Sequence, residues 1–417
     1  MKTVIKTGMG LTRILTVFTV FMLVLVFGAN IFAENKSGEK ATPFDYDYFK
    51  LREGLKNSRV KFEVEKKGRV VFFSGTITQY SGFRSLVEAD LKKRFPNTKF
   101  DFVSSGAYGI GTRYSPFRFT RDLLKDGPVD LLFVDAAFDA YFVRYTPEEC
   151  ILGMEGVVRQ ARILNPNMDI IMMHIGGEEF TSEINSGKIP FPIEAHESVA
   201  EYYGVASLDL AKEVADRINA KEFTWKKDLL SIHLSQFGQE LYAKAMGRLF
   251  DAAWKKPLSA GAALSPYKFP EKPLNENSYF KGKIVNIKEV LPGEGFSFVE
   301  NWKVGDKKGT IVEGPFLFSE KSGSTFKLKF EGTAVGVLAA TSPDGGTIEF
   351  SIDGAASASL LTFYTGWNGR FQAFVLKSGL VQGKHELVVK VSEKAGKNFL
   401  EKKGNGSVVR IKEFLVN

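Results

Sequence analysis

The sequence predicts a doubly wound α/β domain followed by an antiparallel β-sandwich. Between residues 60 and 256, short apolar segments alternate with amphipathic segments of helical period, which is typical of a parallel sheet covered on both faces. After residue 278 the helical period disappears, and short segments recur between turns rich in Gly and Asp, a pattern of antiparallel strands. A chain of 417 residues is also too long for one compact core and fits about two domains.

The elements of the α/β domain alternate strictly along the chain, with each short and mostly apolar segment followed by a longer periodic one. The predicted strands are Arg69–Phe73, Lys99–Val103, Val129–Val134, Asp169–Met173 and Val205–Leu208. The predicted helices are Gly82–Phe95, Phe117–Leu124, Cys150–Leu164, Glu194–Tyr203, Asp209–Ile218 and Gln239–Trp254.

Residues 257–277 have the composition of a linker, because Pro257–Pro273 contains four prolines among Ser, Gly and Ala. Residues 278–417 form the predicted β-sandwich, a candidate carbohydrate-binding domain. In it, Trp302, Tyr364 and Trp367 have rings that could stack on sugars, although aromatic side chains in a sandwich commonly fill the core. The predicted strands are Thr325–Phe330, Ala334–Ala339, Thr347–Ile352, Arg370–Leu376 and His385–Val391.

Residues 1–33 are predicted to direct export. Residues 14–33 carry no charge, follow Lys2, Lys6 and Arg13, and precede the first acidic residue, Glu34. This order is that of a secretory signal peptide, and the same twenty residues are long enough to serve as an uncleaved anchor. Both alternatives place the rest of the chain outside the cytoplasm, in the periplasm, at the cell surface or secreted. The membrane is therefore a partner only through this segment, if it is uncleaved.

Charge and cysteine content exclude several classes of protein. The net charge is +8, and without the three cations of the leader it is +5. No concentrated basic face is apparent, so nucleic acid is not an expected partner. A single cysteine, Cys150, rules out an intrachain disulfide and a Cys-rich metal site. We expect no metal and no cofactor.

The segments that follow the predicted strands contain the groups needed for acyl transfer. In an open α/β sheet, ligands bind at the carboxyl ends of the strands. There the sequence places hydroxyl groups in residues 74–78, a Gly-rich loop in residues 104–112, polar side chains in residues 135–139 and, before the last helix, His233. A nucleophile, oxyanion donors and a general base could therefore converge.

These segments, from Arg69 to Met246, resemble the SGNH/GDSL hydrolases, and more closely the secreted bacterial members with a C-terminal β-domain. The resemblance rests on several blocks in the right order. They are residues 72–78, 117–122, 130–137, 153–156, 165–170, 195–210 and 233–242. It implies an SGNH-hydrolase-like, flavodoxin-like three-layer fold, and it implies that Thr76 and His233 are the catalytic pair. Gly109 and Asp139 would lie at the oxyanion or substrate-binding positions.

Three positions depart from the family pattern. Thr76 stands where the family has serine, and its methyl group restricts rotamers and crowds the carbonyl. Asp139 stands where the family has an asparagine, and an ionised carboxylate there would repel an oxyanion. The aspartate usually found just before the histidine is missing, and Asp228 lies farther away than the family spacing.

The resemblance implies an exported ester hydrolase that acts on a polysaccharide or small ester, with a carbohydrate O-acetylesterase as the leading hypothesis. The alternative is a catalytically inactive glycan-binding protein with the same fold. An adhesion or scaffold module led by the β-domain is a third hypothesis. Each residue also has a structural interpretation. Thr76 could cap the following helix, and His233 could simply precede one, while Ser74 is a second hydroxyl near the predicted nucleophile.

Overall fold

The computed structural model describes residues 47–305, 311–362, 370–394 and 406–417. The predicted leader, residues 1–33, lies outside the described residues. Tyr48–Asn417 form one compact unit that contains both the α/β part and the β-domain. None of the helices within the described residues has the length and apolar character needed to span a bilayer.

The described part of the α/β domain is built on a six-stranded sheet with the order β1-β6-β5-β4-β2-β3. All neighbouring strands are parallel except β1, which pairs antiparallel with β6 at the edge. The five parallel strands thus have the flavodoxin-like order. Strand β3 lies on one side of β2, and β4, β5 and β6 follow on the other side, so the order of strands reverses between β2 and β4. The strands are β1 (Phe49–Lys50), β2 (Lys67–Ser74), β3 (Lys99–Gly106), β4 (Leu131–Asp135), β5 (Asp169–Met173) and β6 (Ala206–Leu208).

Helices cover both faces of this sheet, because its central strands are apolar on both sides. One core packs helices α3, α9 and α10 against one face, and a second packs α4, α6 and α8 against the other. The helices are α1 (Lys56–Arg59), α2 (Thr76–Gln79), α3 (Gly82–Arg94), α4 (Ser115–Leu123), α5 (Ala137–Phe142), α6 (Pro147–Leu164), α7 (Glu178–Asn185), α8 (Phe191–Tyr202), α9 (Leu210–Asn219) and α10 (Gln236–Ala253).

The C-terminal domain consists of two antiparallel sheets that share one apolar core. One has the order β15-β12-β17-β10-β9, with β7 beside β17, and the other is β14-β13-β16-β11-β8. The strands are β7 (Lys283–Val285), β8 (Leu291–Pro292), β9 (Ser297–Gly305), β10 (Ile311–Ser319), β11 (Thr325–Gly332), β12 (Val335–Thr341), β13 (Thr347–Ile352), β14 (Ala358–Leu361), β15 (Arg370–Lys377), β16 (Gly383–Val391) and β17 (Val409–Val416). The predictions of an α/β sheet and of a separate antiparallel β region are confirmed.

Residues 257–277, predicted as a linker, lie against the α/β domain. The buried Glu155 carboxylate accepts the backbone N–H groups of Leu274 and, at 2.8 Å, Asn275. The guanidinium of Arg159 donates to the backbone carbonyls of Pro270 and Glu271 at 2.9 and 2.8 Å. These contacts fasten the segment to helix α6, so it does not behave as a free tether.

The β-domain packs directly on helices α4 and α6 through a small apolar cluster that includes Tyr114, Leu152 and Leu415. At its border, Glu413 of β17 accepts hydrogen bonds from the Tyr114 hydroxyl at 2.6 Å and the Arg121 guanidinium at 2.7 Å. The mixture of apolar burial and paired charge fixes the two domains against each other.

Candidate functional site

The predicted nucleophile lies at the carboxyl end of central strand β2. Ser74 ends the strand with a φ of 90°, a left-handed value that a non-glycine residue rarely adopts. Gly75 follows, where a Cβ atom would lie only 1.7 Å from Oδ1 of Asp135. This tight turn leads into helix α2, of which Thr76 is the first residue.

Thr76, Gly109 and Asp139 are brought together by hydrogen bonds. The Thr76 hydroxyl donates to Oδ1 of Asp139, and the Thr76 backbone N–H donates to Oδ2 of the same carboxylate at 2.7 Å. The Gly109 N–H donates to Oγ1 of Thr76 at 2.8 Å. The structure therefore brings the Thr76 hydroxyl, the backbone N–H groups of Thr76 and Gly109, and Asp139 together, and the Asp139 carboxylate accepts from the hydroxyl and from the Thr76 N–H.

Two buried carboxyl groups flank this turn. Asp139 is 2% exposed and Asp135 is 3% exposed. Burial raises the pKa of Asp139 to about 6, against the lowering effect of its hydrogen bonds from Thr76 and Gly109. Burial, followed by the nearby charge of Asp139, raises the pKa of Asp135 well above its ordinary value. Asp135 is the last residue of strand β4 and was not singled out from the sequence. An acidic residue at the carboxyl end of an apolar strand is the signal that could have identified it.

Thr76 is enclosed. It is 2% exposed, and the space between it and the residues 135–139 leaves no room for a water molecule. Ile77 lines this space on one side and a larger neighbouring cavity on the other. A substrate carbonyl can reach Oγ1 only if side chains around it move.

His233 lies in the larger cavity and is exposed. Its ring packs edge-to-face on Tyr80, with ring centroids 4.9 Å apart, and its backbone N–H donates to Oγ of Ser231 at 3.1 Å. Among the described residues no hydrogen bond joins His233 to Thr76. The structure thus brings His233 to the same edge of the sheet but does not bring it into contact with the predicted nucleophile.

The described residues offer no carboxylate bonded to the His233 ring. Asp228, the nearest acid before it in sequence, instead accepts from the backbone N–H and the hydroxyl of Thr224 at 2.8 and 3.1 Å. Its backbone carbonyl accepts from Oγ of Ser235. Asp228 therefore holds the turn before helix α10 and does not orient the imidazole.

His174, His196, Cys150 and Ser74 are buried in the α/β domain. Nε2 of His174 lies 2.8 Å from Glu197, and burial lowers the pKa of the fully enclosed His196 to about 3. Burial raises the pKa of the Cys150 thiol to about 12, so it is an inert apolar residue. Ser74 is buried, with its Oγ 2.9 Å from Oγ of Ser115, and offers no free hydroxyl.

Of the three aromatic residues predicted as possible sugar platforms, Trp302 lies within the described residues, and its ring packs against other side chains of the β-domain. Trp302 packs edge-to-face on Phe316 and beneath Arg410, whose guanidinium carbon lies 4.5 Å from the ring centroid. Tyr364 and Trp367 lie outside the described residues. Within the described ranges, no cluster of three His, Cys, Asp or Glu side chains is arranged to hold a metal ion.

Comparison with known proteins gives a structural match only. No family model matches the chain, and no curated protein sequence matches it. A solved two-domain esterase (CEX) active on acetylated mannans has a TM-score of 0.67 and 17% sequence identity, covering 88% of this chain and 98% of that one. The same values hold for its co-crystal with mannopentaose. An acetyl xylan esterase covers 43% of this chain with a TM-score of 0.37, too low to indicate a shared overall fold.

The match to the two-domain esterase shows that this chain shares its fold over both domains. At 17% identity the likeness extends to architecture and not to chemistry. The function therefore depends on the chemical groups of the site itself.

Proposed function

We propose that this chain is an exported carbohydrate esterase of the SGNH/GDSL type that removes O-acetyl groups from a polysaccharide. The observation that carries the proposal is the Thr76 hydroxyl at the end of the central strand, held between the Gly109 N–H at 2.8 Å and the Asp139 carboxylate. The fold shared with an esterase active on acetylated mannans and the predicted export segment support it.

In the proposed reaction, Oγ1 of Thr76 attacks the ester carbonyl carbon, and its proton passes to Oδ1 of Asp139, which already accepts it. A carboxylate whose pKa is raised to about 6 is a stronger base than an ordinary one and is still ionised at neutral pH. When the tetrahedral intermediate collapses, the proton goes to the departing sugar oxygen. The acyl-threonine is then hydrolysed by water.

The same proton transfer frees the oxyanion donors. Once Asp139 is protonated it is neutral, so the hydrogen bond that it accepts from the Thr76 backbone N–H weakens. That N–H and the Gly109 N–H are then the donors available to the developing oxyanion. Other side chains that enclose Thr76 have to move as substrate enters, because the space around it holds no water.

The assignment of His233 as the base stays a prediction of its own. It requires the imidazole to approach Thr76 past Ile77, which lines both the enclosed space around Thr76 and the cavity that contains His233. The two assignments differ in what Asp139→Asn does, since that change removes one proposed base and leaves the other.

A second candidate is a glycan-binding protein without turnover. It is favoured by the 2% exposure of Thr76 and by the engagement of both Thr76 donors with Asp139. In this alternative, Asp139 permanently occupies the place where a carbonyl oxygen would otherwise bind.

The experiment that separates them is an acetate-release assay on acetylated mannan, acetylated xylan and nitrophenyl acetate. The esterase proposal expects release by the wild type, none by Thr76→Ala, and retained or higher release by Thr76→Ser, which keeps the hydroxyl and removes the crowding methyl group. Release that persists in Thr76→Ala would remove Thr76 from the mechanism. Absent turnover, together with retardation of the protein in a polysaccharide affinity gel, would establish the binding alternative.

A further inference from the structure

A cavity of about 320 Å³ opens beside the enclosed Thr76, between the end of helix α2 and the start of α10. Its lining combines an apolar part with a polar part, as in sites that bind small organic ligands. The apolar part includes Ile77, Phe83 and Leu234, and the polar part is Tyr80, His233 and Gln239.

The polar groups of this cavity have spare hydrogen-bonding capacity. Nε2 of Gln239 donates to the backbone carbonyl of Leu234 at 2.9 Å, which fixes the amide in place. Among the hydrogen bonds of the described residues, none engages the Tyr80 hydroxyl, either ring nitrogen of His233 or Oε1 of Gln239. These groups can donate to and accept from hydroxyl groups of a ligand.

Aromatic rings border the cavity. Tyr80 and Phe83 line it, and Tyr80 is 47% exposed. Tyr80 is braced by the His233 ring, packed at 81° with centroids 4.9 Å apart. Partial burial and, next, the nearby Tyr108 raise the pKa of Tyr80, so its phenol stays protonated and can donate. A held, half-exposed ring is suited to stack on the C–H face of a sugar.

The lining is also uncharged. Of the side chains that line it within the described part of the chain, none is Asp, Glu, Lys or Arg. An anionic sugar would therefore lose hydration without gaining a cationic partner. The cavity is better matched to a neutral sugar than to a uronic acid.

We propose that this cavity binds one neutral pyranose ring of the polysaccharide, stacked on Tyr80 and hydrogen-bonded by His233 and Gln239. The choice of a polysaccharide rests on the proposed function. Because Ile77 lines both this cavity and the space around Thr76, a sugar held here presents its neighbouring ester substituent to the nucleophile. His233 then serves substrate binding, and the proton of Thr76 goes to Asp139.

The test is calorimetric titration of the full chain carrying Thr76→Ala, so that binding is measured without turnover. The probes are mannopentaose and cellopentaose as neutral oligosaccharides, with a trigalacturonate as the charged comparison. Variants Tyr80→Ala and His233→Ala are combined with Thr76→Ala, and Tyr202→Ala is the matched control. Tyr202 is also an exposed ring of the α/β domain, 39% exposed, but it contacts Lys272 and does not line the cavity.

We expect at least one neutral probe to bind, with Tyr80→Ala raising its Kd about 3- to 10-fold, His233→Ala raising it as well, and Tyr202→Ala leaving it unchanged. The NMR signals of the His233 ring, one of four histidines, should shift on titration. No saturable binding of either neutral probe, tighter binding of trigalacturonate, or equal affinity in Tyr80→Ala would overturn the proposal. Because Thr76→Ala is present throughout, the outcome is independent of whether the wild type releases acetate.

Discussion

Asp139→Asn is the change that most sharply tests how the site works. It replaces one carboxylate oxygen by an amide nitrogen of nearly the same size, so packing is kept while the chemistry changes. In the wild type both oxygens accept hydrogen bonds from Thr76, one from the hydroxyl and one from the backbone N–H at 2.7 Å. An amide has a single oxygen and cannot take up a proton at neutral pH.

If Asp139 is the base, kcat should fall about 10²- to 10⁴-fold in Asp139→Asn, the usual contribution of a general base, with little change in KM. The wild-type rate should rise with pH through about 6, as the raised pKa of Asp139 requires, because only the ionised carboxylate accepts a proton. The variant should lack that rise. Acetate release measured from pH 4.5 to 8 provides both results, with Asp251→Asn, an exposed acid paired with Arg94, as the control.

The same variant has a stability signature that does not depend on turnover. Burial raises the pKa of Asp139 from 3.8 to about 6, which corresponds to about 3 kcal/mol between its two protonation states. The folded state binds a proton on the Asp139 carboxyl group more tightly than the unfolded state does. The resulting stabilisation is fully present below about pH 4 and is lost as the pH rises through about 6. Wild-type stability relative to Asp139→Asn should therefore decline between those values in urea unfolding.

A gain of acetate release in Asp139→Asn would show that Asp139 is not the base. It would mean that Asp139 blocks donors that an asparagine can restore, and that His233 or another group removes the proton. If the difference in unfolding free energy between the wild type and Asp139→Asn does not change with pH, the pKa of Asp139 is not raised by its burial.

Other predictions concern the turn at residues 74–76 and the segment of residues 257–277, which is held against helix α6. Gly75→Ala should abolish acetate release and lower Tm, since its Cβ would lie 1.7 Å from Oδ1 of Asp135; unchanged activity by the same assay would argue against this packing. Ser74→Gly should be more stable than Ser74→Ala by about 1–2 kcal/mol in urea unfolding, because the φ of 90° favours glycine; equal stability would mean the turn is unstrained. Glu155→Ala should leave the N–H groups of residues 274–275 without their acceptor at a cost of about 1–3 kcal/mol each, and limited proteolysis should then cut near them; unchanged resistance would show that they find other partners.

The alternation of apolar strands and amphipathic helices predicted the α/β sheet well, because continuous burial leaves a clear pattern. Strand β1, of only two residues, and the short helix α5 were missed, since they hold too few residues to show a period. Strands β9, β10 and β17 were missed as well. Strand β17 pairs with β12, β10 and β7, contacts between distant residues that no local pattern encodes.

For the site, the sequence placed Thr76, Gly109, Asp139 and His233 at one edge of the sheet. Strand order accounts for this placement, because residues that follow parallel strands meet at the carboxyl ends. The pattern could not reveal that Asp139 binds both the hydroxyl and the backbone N–H of Thr76. Those contacts depend on side-chain rotamers and on the depth of burial.

Acetate release from acetylated mannan by the purified wild-type chain, measured beside Thr76→Ala at neutral pH, tests whether Thr76 is the nucleophile of an esterase. We expect steady acetate release by the wild type and none above background by Thr76→Ala, with both proteins folded as judged by circular dichroism. Equal release by both proteins, or no release by the wild type on any acetylated substrate, would contradict this proposal.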